Sequence, residues 1–237
     1  MSNGIKRLGI ILPASNITVE RELMEFILYK PSLRDKVELH FTRAGFNTRY
    51  KKSPEKYLSE VAQNVPSEME KLSKIEISQF AFFCTSGTLF LNYQQHPELK
   101  NIITSFDCMV EKIKIEKIKK PLIVTPYGNM VDSLLLRELK SHDIVPSKVV
   151  SLNLQTGREL HDFSKNHLQE TINKEIESSS VYDGVFIFCT NFPTFKTILD
   201  LEKNFCLPIF SSNQTTLVKL LESVEIIKPN TIFNNIK

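Results

Sequence analysis

A strand-like apolar run that ends in Cys-Thr occurs twice in this chain of 237 residues. The first copy, QFAFFCTSGTLF, spans residues 79–90, and the second, GVFIFCTNFPTF, spans residues 184–195. A short apolar run followed by small polar residues is typical of a strand that is buried on both faces. The pattern therefore predicts a repeated scaffold that places one cysteine, Cys84 or Cys189, at the end of a strand in each repeat.

Apolar strands alternate with amphipathic helices along both halves of the chain. The predicted strands are RLGIILP, KVELHFTR, QFAFFC and NIITS in the first half, and KPLIVTP, SKVVSLNL, GVFIFC and LPIFSS in the second. Such alternation indicates parallel sheets covered by helices on both faces. Pro126 follows Pro13 by 113 residues and Cys189 follows Cys84 by 105, so the halves correspond. We predict an α/β fold of two pseudo-symmetric lobes, each a four-stranded parallel sheet flanked by helices, over residues 1–118 and 119–237.

Helix signals complete this pattern. Ser53 is a predicted N-cap with Pro54 at the first helical position, and one long helix is predicted over residues 159–178. Helices are also expected to begin soon after each cysteine. The first should start after Gly87, and the second should contain Pro193 in its first turn.

Composition and charge limit which binding partners and which cellular compartment we expect for the protein. The net charge is +3, and lysines alternate with glutamates in stretches such as residues 111–120, which favours a solvated face over a nucleic-acid site. The apolar stretch before Pro13 is too short for a signal sequence or a membrane span. Four cysteines without a CxxC pair are typical of free thiols in a reducing compartment. We expect a cytoplasmic protein without nucleic-acid or membrane partners.

The motifs of common cofactor and metal sites are missing from the sequence. It has seven glycines and neither GxGxxG nor GxxxxGK[ST], which disfavours a nucleotide site, and its five histidines form no HExxH motif. We therefore expect no cofactor and no metal. Ligands of open α/β sheets bind beyond the carboxyl ends of the strands, so the active site is predicted in a cleft between the lobes.

Five short segments at predicted strand ends carry a resemblance to a known family. PASNITVE, CTSGT, TPYGN, FCTNFPT and FSSNQTT, in this order, resemble the maleate isomerase and arylmalonate decarboxylase branch of the aspartate/glutamate racemase superfamily. The resemblance spans almost the entire chain. It implies a cofactor-independent enzyme, a homo-oligomer of two or more subunits, that acts beside the carboxylate of a small acid with two cysteines on opposite sides of the substrate.

The resemblance also implies a set of site residues. Cys84 would add as a thiolate to an alkene carbon, and Cys189 would protonate the neighbouring carbon. The predicted substrate-binding residues are Ser15, Asn16, Thr85, Ser86, Gly87, Tyr127, His161, Thr190 and Asn191. Because each cysteine would precede a helix start, backbone amides and the helix dipole are expected to favour the thiolate. The same amides could hold a carboxylate.

Several of these residues have a simpler structural explanation. A cysteine that ends an apolar strand can be a small buried apolar residue, which is also our interpretation of Cys108 and Cys206. Asn16 and Thr18 could serve only as helix caps, and Tyr127 could be a packed ring. Many relatives place a binding asparagine after the sixth strand. Here His161 occupies that position in an ungapped placement, and Asn153 is the alternative.

Four functions fit these observations, in decreasing order of support. The first is a cis-trans isomerase of the maleate isomerase type acting on a small carboxylic or dicarboxylic acid. The second is a cofactor-independent amino-acid racemase of the aspartate or glutamate type, in which one cysteine takes the α-proton and the other returns it. A malonate-type decarboxylase is third, because that chemistry uses a single cysteine. A catalytically inert acid-binding protein is the fourth.

Overall fold

The computed structural model of the protein describes residues 4–28, 30–45, 53–154, 157–163, 165–179, 181–205, 207–229 and 231. Within these residues, eight strands form two separate four-stranded sheets, and every strand pair is parallel. The predicted α/β fold with one four-stranded parallel sheet in each half is therefore confirmed.

The first sheet is built from the first half of the chain in the order β2-β1-β3-β4. Its strands are β1 (Lys6–Pro13), β2 (Val37–Ala44), β3 (Gln79–Phe82) and β4 (Ile103–Thr104). The helices between and after them are α1 (Val19–Leu28), α2 (Pro31–Arg34), α3 (Pro54–Ser73), α4 (Thr85–Thr88) and α5 (Ser105–Ile115), with a 3-10 turn at Pro97–Asn101.

The second sheet repeats this arrangement in the order β6-β5-β7-β8. Its strands are β5 (Pro121–Thr125), β6 (Lys148–Ser151), β7 (Gly184–Ile187) and β8 (Ile209–Ser211). Its helices are α6 (Asn129–Ser141), α7 (Gly157–Asp162), α8 (Lys165–Ser178), α9 (Phe195–Asn204) and α10 (Ser212–Ser223). The second, first, third and fourth strands of each half are neighbours in this order, so the predicted pseudo-symmetry is confirmed.

Local sequence signals account for most element boundaries. The Ser53 side chain accepts a hydrogen bond from the Lys56 amide at 3.4 Å, and Pro54 opens α3, as predicted. The single helix predicted over residues 159–178 is wrong, because α7 ends at Asp162 and α8 begins at Lys165.

The two helix starts predicted beside the cysteines also differ in the structure. The first helical turn, α4, begins at Thr85 and contains Gly87 instead of following it. The second helix, α9, begins at Phe195 with Thr194 as its N-cap, so Pro193 precedes the helix and is not in its first turn. Cys84 is therefore a helix cap, whereas Cys189 is followed by a loop of five residues.

Two helices cover the sheet of the other half. Phe106 and Met109 of α5 share a buried core with Ile123 of β5 and Phe186 of β7. Conversely, α10 packs on the first sheet: its leucines Leu217, Leu220 and Leu221 lie in one core with Leu8 and Ile10 of β1. Each half thus contributes the helix after its fourth strand to the hydrophobic core of the other half.

The exchange of α5 and α10, each of which packs on the sheet of the other half, affects how the chain can be divided into domains. The two sheets fall on either side of residue 118, but α5 and α10 cross between them. The division into residues 1–118 and 119–237 stays a prediction, and we propose that neither segment folds stably without the helix supplied by the other. Every helix among the described residues is too short or too polar to span a lipid bilayer.

The exchange predicts which core responds to a mutation. Phe106→Ala should lower the free energy of unfolding by about 3–5 kcal/mol, because it removes a buried ring. In NMR spectra its loss should shift the methyl signals of Ile123, in the other half, and leave those of Ile10 in place. Leu217→Ala should show the reverse pattern. Methyl shifts confined to the half that carries each mutation would contradict the exchanged packing.

Candidate active site

The first cysteine lies where β3 ends. Cys84 has an extended backbone, caps α4, and its sulfur accepts a hydrogen bond from the Gly87 amide at 3.2 Å. The Thr88 amide donates to the Cys84 carbonyl at 3.1 Å, which closes the helical turn around the thiol. The donor that faces this sulfur is thus held by the backbone of α4 itself.

Gly87 allows the close approach of backbone to sulfur. A Cβ atom at this position would lie 2.7 Å from the Cys84 Sγ and 3.0 Å from the Phe82 ring. Both distances are shorter than van der Waals contact, so a side chain here would displace the thiol or the ring. The glycine is therefore required by the contact between its own amide and Cys84.

The second cysteine lies at the equivalent point after β7. The Cys189 sulfur accepts a hydrogen bond from the Asn191 amide at 3.3 Å, and the Phe192 amide also lowers the pKa of this thiol. Both donors belong to the loop before α9 and not to a helix. The expectation that a helix start directly faces this thiol is therefore wrong.

Two hydroxyl groups act on the thiols. Ser86 forms a side-chain hydrogen bond that lowers the pKa of Cys84, and Tyr127 does the same for Cys189. Burial raises the pKa of Tyr127 well above its usual value, negative charge on either thiol raises it further, and a hydrogen bond with Ser86 lowers it. Tyr127 is therefore a neutral donor in a group that includes both sulfurs.

The thiols are protonated at neutral pH. Burial raises the pKa of Cys84 and of Cys189 to about 12, and it outweighs the amide hydrogen bonds that act in the opposite direction. A thiolate at Cys84 would raise the pKa of Cys189 further. The expectation that the site depresses the thiol pKa is wrong, because loss of water around the sulfur costs more than two or three donors restore.

Predicted binding residues join the two halves beside the thiols. Asn16 accepts hydrogen bonds from the Thr18 and Val19 amides, both at 3.0 Å, and donates to the Thr190 hydroxyl at 3.2 Å. The Asn191 side-chain oxygen accepts from the Ile17 amide at 3.0 Å. Asn16 is thus a helix cap and an interlobe contact, while its role in binding stays a prediction.

Three further hydroxyls are engaged in neighbouring contacts. The Thr190 hydroxyl donates to the Phe83 carbonyl at 3.0 Å, and Thr85 donates to the Ser212 hydroxyl at 2.8 Å. Ser15 is exposed, and its hydroxyl lies 2.6 Å from that of Tyr57 on α3. The structure brings Ser86, Gly87 and Tyr127 to the sulfurs, whereas these three hydroxyls bind protein groups.

The two candidates for the family's binding asparagine can be compared only in part. His161 belongs to α7, but its side chain lies outside the described residues, as does Cys206. Asn153 has a left-handed backbone with φ of 51°, and its side-chain oxygen lies 2.9 Å from the position of a Cβ on Gly128. Asn153 therefore lies beside the loop that carries Tyr127.

Sequence reasoning missed a second set of buried polar residues. Ser105 donates to the Phe82 carbonyl at 3.3 Å, and Ser212 donates to the Ile187 carbonyl at 3.4 Å, two equivalent bonds in the two halves. Glu22 and Asn213 are also buried and bond to each other. The signal available was the FSSNQTT segment, in which Ser212 and Asn213 follow a strand end.

The chemistry that this site can perform follows from its groups. Two thiols each accept an amide hydrogen bond, and a neutral phenol is close enough to interact with both. Such groups can add to a carbon, move a proton and hold a carboxylate without a metal. Among the described residues, no cluster of three His, Cys, Asp or Glu side chains could hold a metal ion.

Comparisons with known proteins agree with the resemblance seen in the sequence. A family model described as arylmalonate decarboxylase matches residues 89–230. The chain is 20% identical to the maleate isomerase of Geobacillus stearothermophilus over 93% of this chain and 92% of that protein.

Solved structures show the same fold. The maleate isomerase of Pseudomonas putida, a cysteine-to-alanine variant with maleate, has a TM-score of 0.78, 19% identity, and coverage of 93% and 92%. A cysteine-to-serine mutant of the Nocardia farcinica maleate cis-trans isomerase, with a covalently bound succinylcysteine intermediate, has a TM-score of 0.79, 18% identity, and 94% coverage of both chains.

The contact between Gly87 and the first thiol can be tested by a mutant cycle. Gly87→Ala should destabilise the protein by about 1–3 kcal/mol, because the new methyl group overlaps the Cys84 sulfur. In a Cys84→Ala background the same substitution should cost less, by about 1 kcal/mol, since the sulfur is gone. Urea unfolding of the four proteins measures this difference. Equal costs in both backgrounds would contradict the contact.

Proposed function

The chain belongs to the arylmalonate decarboxylase family, and on this premise we propose that it is a cofactor-independent isomerase of the maleate cis-trans isomerase type. The observation that carries the proposal is the pair of buried thiols at equivalent strand ends, each with an amide donor. The maleate isomerases that match over 92–94% of their length support it. The substrate proposed is a small carboxylic or dicarboxylic acid with a cis double bond.

The proposed reaction uses one thiolate and one thiol. Cys84 first loses its proton to solvent, and its sulfur then forms a bond to one alkene carbon while the Cys189 thiol protonates the neighbouring carbon. The former double bond is now single and rotates. Cys189, as thiolate, takes the proton back, the C–S bond breaks, and the trans acid leaves with Cys84 again a thiolate. Atoms and charge balance over the cycle, and no cofactor is consumed.

The environment of the thiols sets the cost of the first step. With its pKa raised to about 12, Cys84 is almost entirely protonated at pH 8. The Gly87 amide and the Ser86 hydroxyl lower that pKa and so offset part of the desolvation. Hydrogen bonds to a charged sulfur are strong in a site that excludes water, which is why the amide at residue 87 matters for this proposal.

Binding of the acid is assigned to the groups closest to the thiols. We propose that amides after each cysteine and the Tyr127 hydroxyl hold the carboxylate and the charge that forms beside it. Ser86 and Gly87 contribute directly. The remaining proposed binding residues are Ser15, Asn16, Thr85, Thr190, Asn191 and either His161 or Asn153. We also propose that the protein is cytoplasmic and forms a homo-oligomer.

An amino-acid racemase is the second candidate. It is favoured by the similar position of an amide donor at each sulfur, 3.2 Å from Cys84 and 3.3 Å from Cys189. A racemase needs two such groups, one on each face of the α-carbon, to take and return the same proton. The two candidates differ in substrate and in the bond that changes, so one experiment separates them.

Proton NMR in deuterated water tests the function directly. The protein is incubated with maleate, other C4 and C5 diacids, and aspartate and glutamate enantiomers. We expect a trans diacid signal to appear; loss of an α-proton signal would indicate the racemase, and loss of a carboxylate as CO2 the decarboxylase. No conversion of any acid would contradict the proposal and leave an acid-binding protein.

The two cysteines should be needed separately. Cys84→Ala should lower turnover by about a thousandfold or more, and Cys189→Ala by about 10²–10⁴, because a methyl group neither adds to an alkene nor carries a proton. Cys108→Ala is the matched control, since this thiol is also buried but lies on α5, and it should retain activity. Near-normal turnover in either active-site mutant would contradict the proposed pair.

The raised thiol pKa predicts the pH dependence. Below pH 12 the thiolate fraction grows as pH rises, so kcat/KM should increase roughly tenfold per pH unit between pH 7 and 10. The small acid is already ionised in this range and adds no slope. A plateau below pH 9 would show that another group activates the sulfur. The measurement is initial rate by NMR or absorbance at low substrate concentration.

A further inference from the structure

The contacts between the halves differ at one pair of equivalent positions. Leu135 of α6 and Phe106 of α5 lie in one apolar core. Glu22 of α1 is equivalent to Leu135, because the same 113 residues separate Pro13 from Pro126. Asn213 is equivalent to Phe106, because each is the second residue of its helix, α10 or α5. The chain therefore places a buried acid and amide where its own other half uses two apolar side chains.

Glu22 joins α1 to the start of α9 in the other half. Its carboxylate accepts hydrogen bonds from the Phe195 amide and from the Asn213 side-chain nitrogen, each at 2.8 Å. The side chain of Thr194, the N-cap of α9, makes no cap hydrogen bond, so Glu22 takes over that task. Burial raises the pKa of Glu22 to about 7 in spite of these donors.

Asn213 connects this acid to the loop that carries the second thiol. It is fully buried, and its side-chain nitrogen donates to the Thr190 carbonyl at 3.0 Å and lies 3.3 Å from the Phe192 carbonyl. The Thr190 carbonyl and the Asn191 amide belong to one peptide group. Because a peptide group is planar, holding its oxygen also fixes the direction of its N–H bond. That N–H bond points at the Cys189 sulfur, 3.3 Å from the nitrogen.

The first thiol needs no comparable support. Its donor, the Gly87 amide, is part of the α4 turn, and the Ser86 carbonyl, which belongs to the same peptide group, accepts from the Leu89 amide at 3.3 Å. The donor to Cys189 lies instead in the loop between β7 and α9, outside any helix. The polar pair thus occurs on the side where the donor lies in a loop, and the apolar pair on the side where the donor belongs to a helical turn.

The amide of Asn213 also carries a cost. Within the described part of the chain, its side-chain oxygen is buried without a hydrogen-bond partner. A buried acceptor without a partner is unfavourable, and an apolar side chain of similar size would avoid it. The hydrogen bonds donated by the Asn213 side-chain nitrogen must therefore provide a benefit that a leucine at this position would not.

We propose that Asn213, held by Glu22, is a positioning residue for Cys189. It fixes the peptide group between residues 190 and 191 so that the amide N–H faces the sulfur. The role of this thiol in turnover rests on the proposed function, but the positioning itself does not. It can be measured in the full-length protein without any substrate.

Amide hydrogen exchange followed by NMR tests the proposal, with Asn191 and Gly87 as paired reporters. Asn213→Leu removes the donor. The double mutant Glu22→Gln, Asn213→Asp keeps one amide and one carboxylate facing each other, and it can restore the bond between α1 and α10, but position 213 can no longer donate to the Thr190 carbonyl. Glu25→Gln, which changes a partly exposed acid about one turn further along α1, is the matched control. Thermal unfolding reports the stability of each protein.

The expected result is specific to one amide. In both Asn213 mutants the Asn191 amide should exchange about tenfold faster or more, with the Gly87 amide within about twofold of the parent protein. Glu25→Gln should change neither. Equal acceleration at both amides, no change at Asn191, or normal exchange at Asn191 in the double mutant would each overturn the proposal.

Turnover adds a readout that separates this proposal from the function. If the protein isomerises an acid, the Asn213 mutants should lose kcat by about tenfold or more, and KM should rise by a smaller factor, since the groups around Cys84 still bind the acid. A rise of KM with unchanged kcat would overturn the positioning role. If no acid is converted, the proposed function fails, and the exchange of the Asn191 amide still decides whether Asn213 positions this peptide.

Discussion

The exchange of α5 and α10 between the two halves is the packing on which the candidate site depends. Each helix begins at a serine, Ser105 or Ser212, whose hydroxyl bonds to the last carbonyl of the neighbouring cysteine-bearing strand. Cross-lobe bonds then tie these serines to the opposite half: Thr216 donates to Ser105 and Thr85 to Ser212. The strand ends that carry the thiols are therefore fixed relative to each other by the same helices that complete the two hydrophobic cores.

Burial of the site makes the thiols harder to ionise and strengthens the hydrogen bonds to any charge that forms there. Removing water around the thiols raises the pKa of each to about 12, which keeps them protonated. The same low-dielectric surroundings strengthen every hydrogen bond to a charge that forms there. An amide that points at a sulfur in this site therefore contributes more than it would at the surface. A misdirected amide then loses more hydrogen-bond energy as well, so the conformation of the loop after Cys189 affects the proposed reaction.

Sequence reasoning predicted what is local and missed what is distant. Alternating strands and helices, the Ser53 cap and the cysteines at strand ends all follow from patterns within about twenty residues. Periodicity shows which face of a helix is apolar, but not which sheet covers it, so the exchange of α5 and α10 was not predicted. The sign of the thiol pKa was wrong because helix-dipole arguments ignore desolvation. Glu22 and Asn213 are 191 residues apart, and no local pattern pairs them.

The departures from pseudo-symmetry bear on the reaction. After the equivalent prolines, the first half has Ala14 and the second has Tyr127, so at this pair of positions the second half supplies a phenol hydroxyl and the first half does not. Cys84 has a donor in a helical turn, whereas the donor to Cys189 lies in a loop peptide group to which Asn213 is hydrogen-bonded. A racemase that treats both faces of a carbon alike gains nothing from such differences. An isomerase gains from them, because one thiol must add to carbon and the other must only transfer a proton.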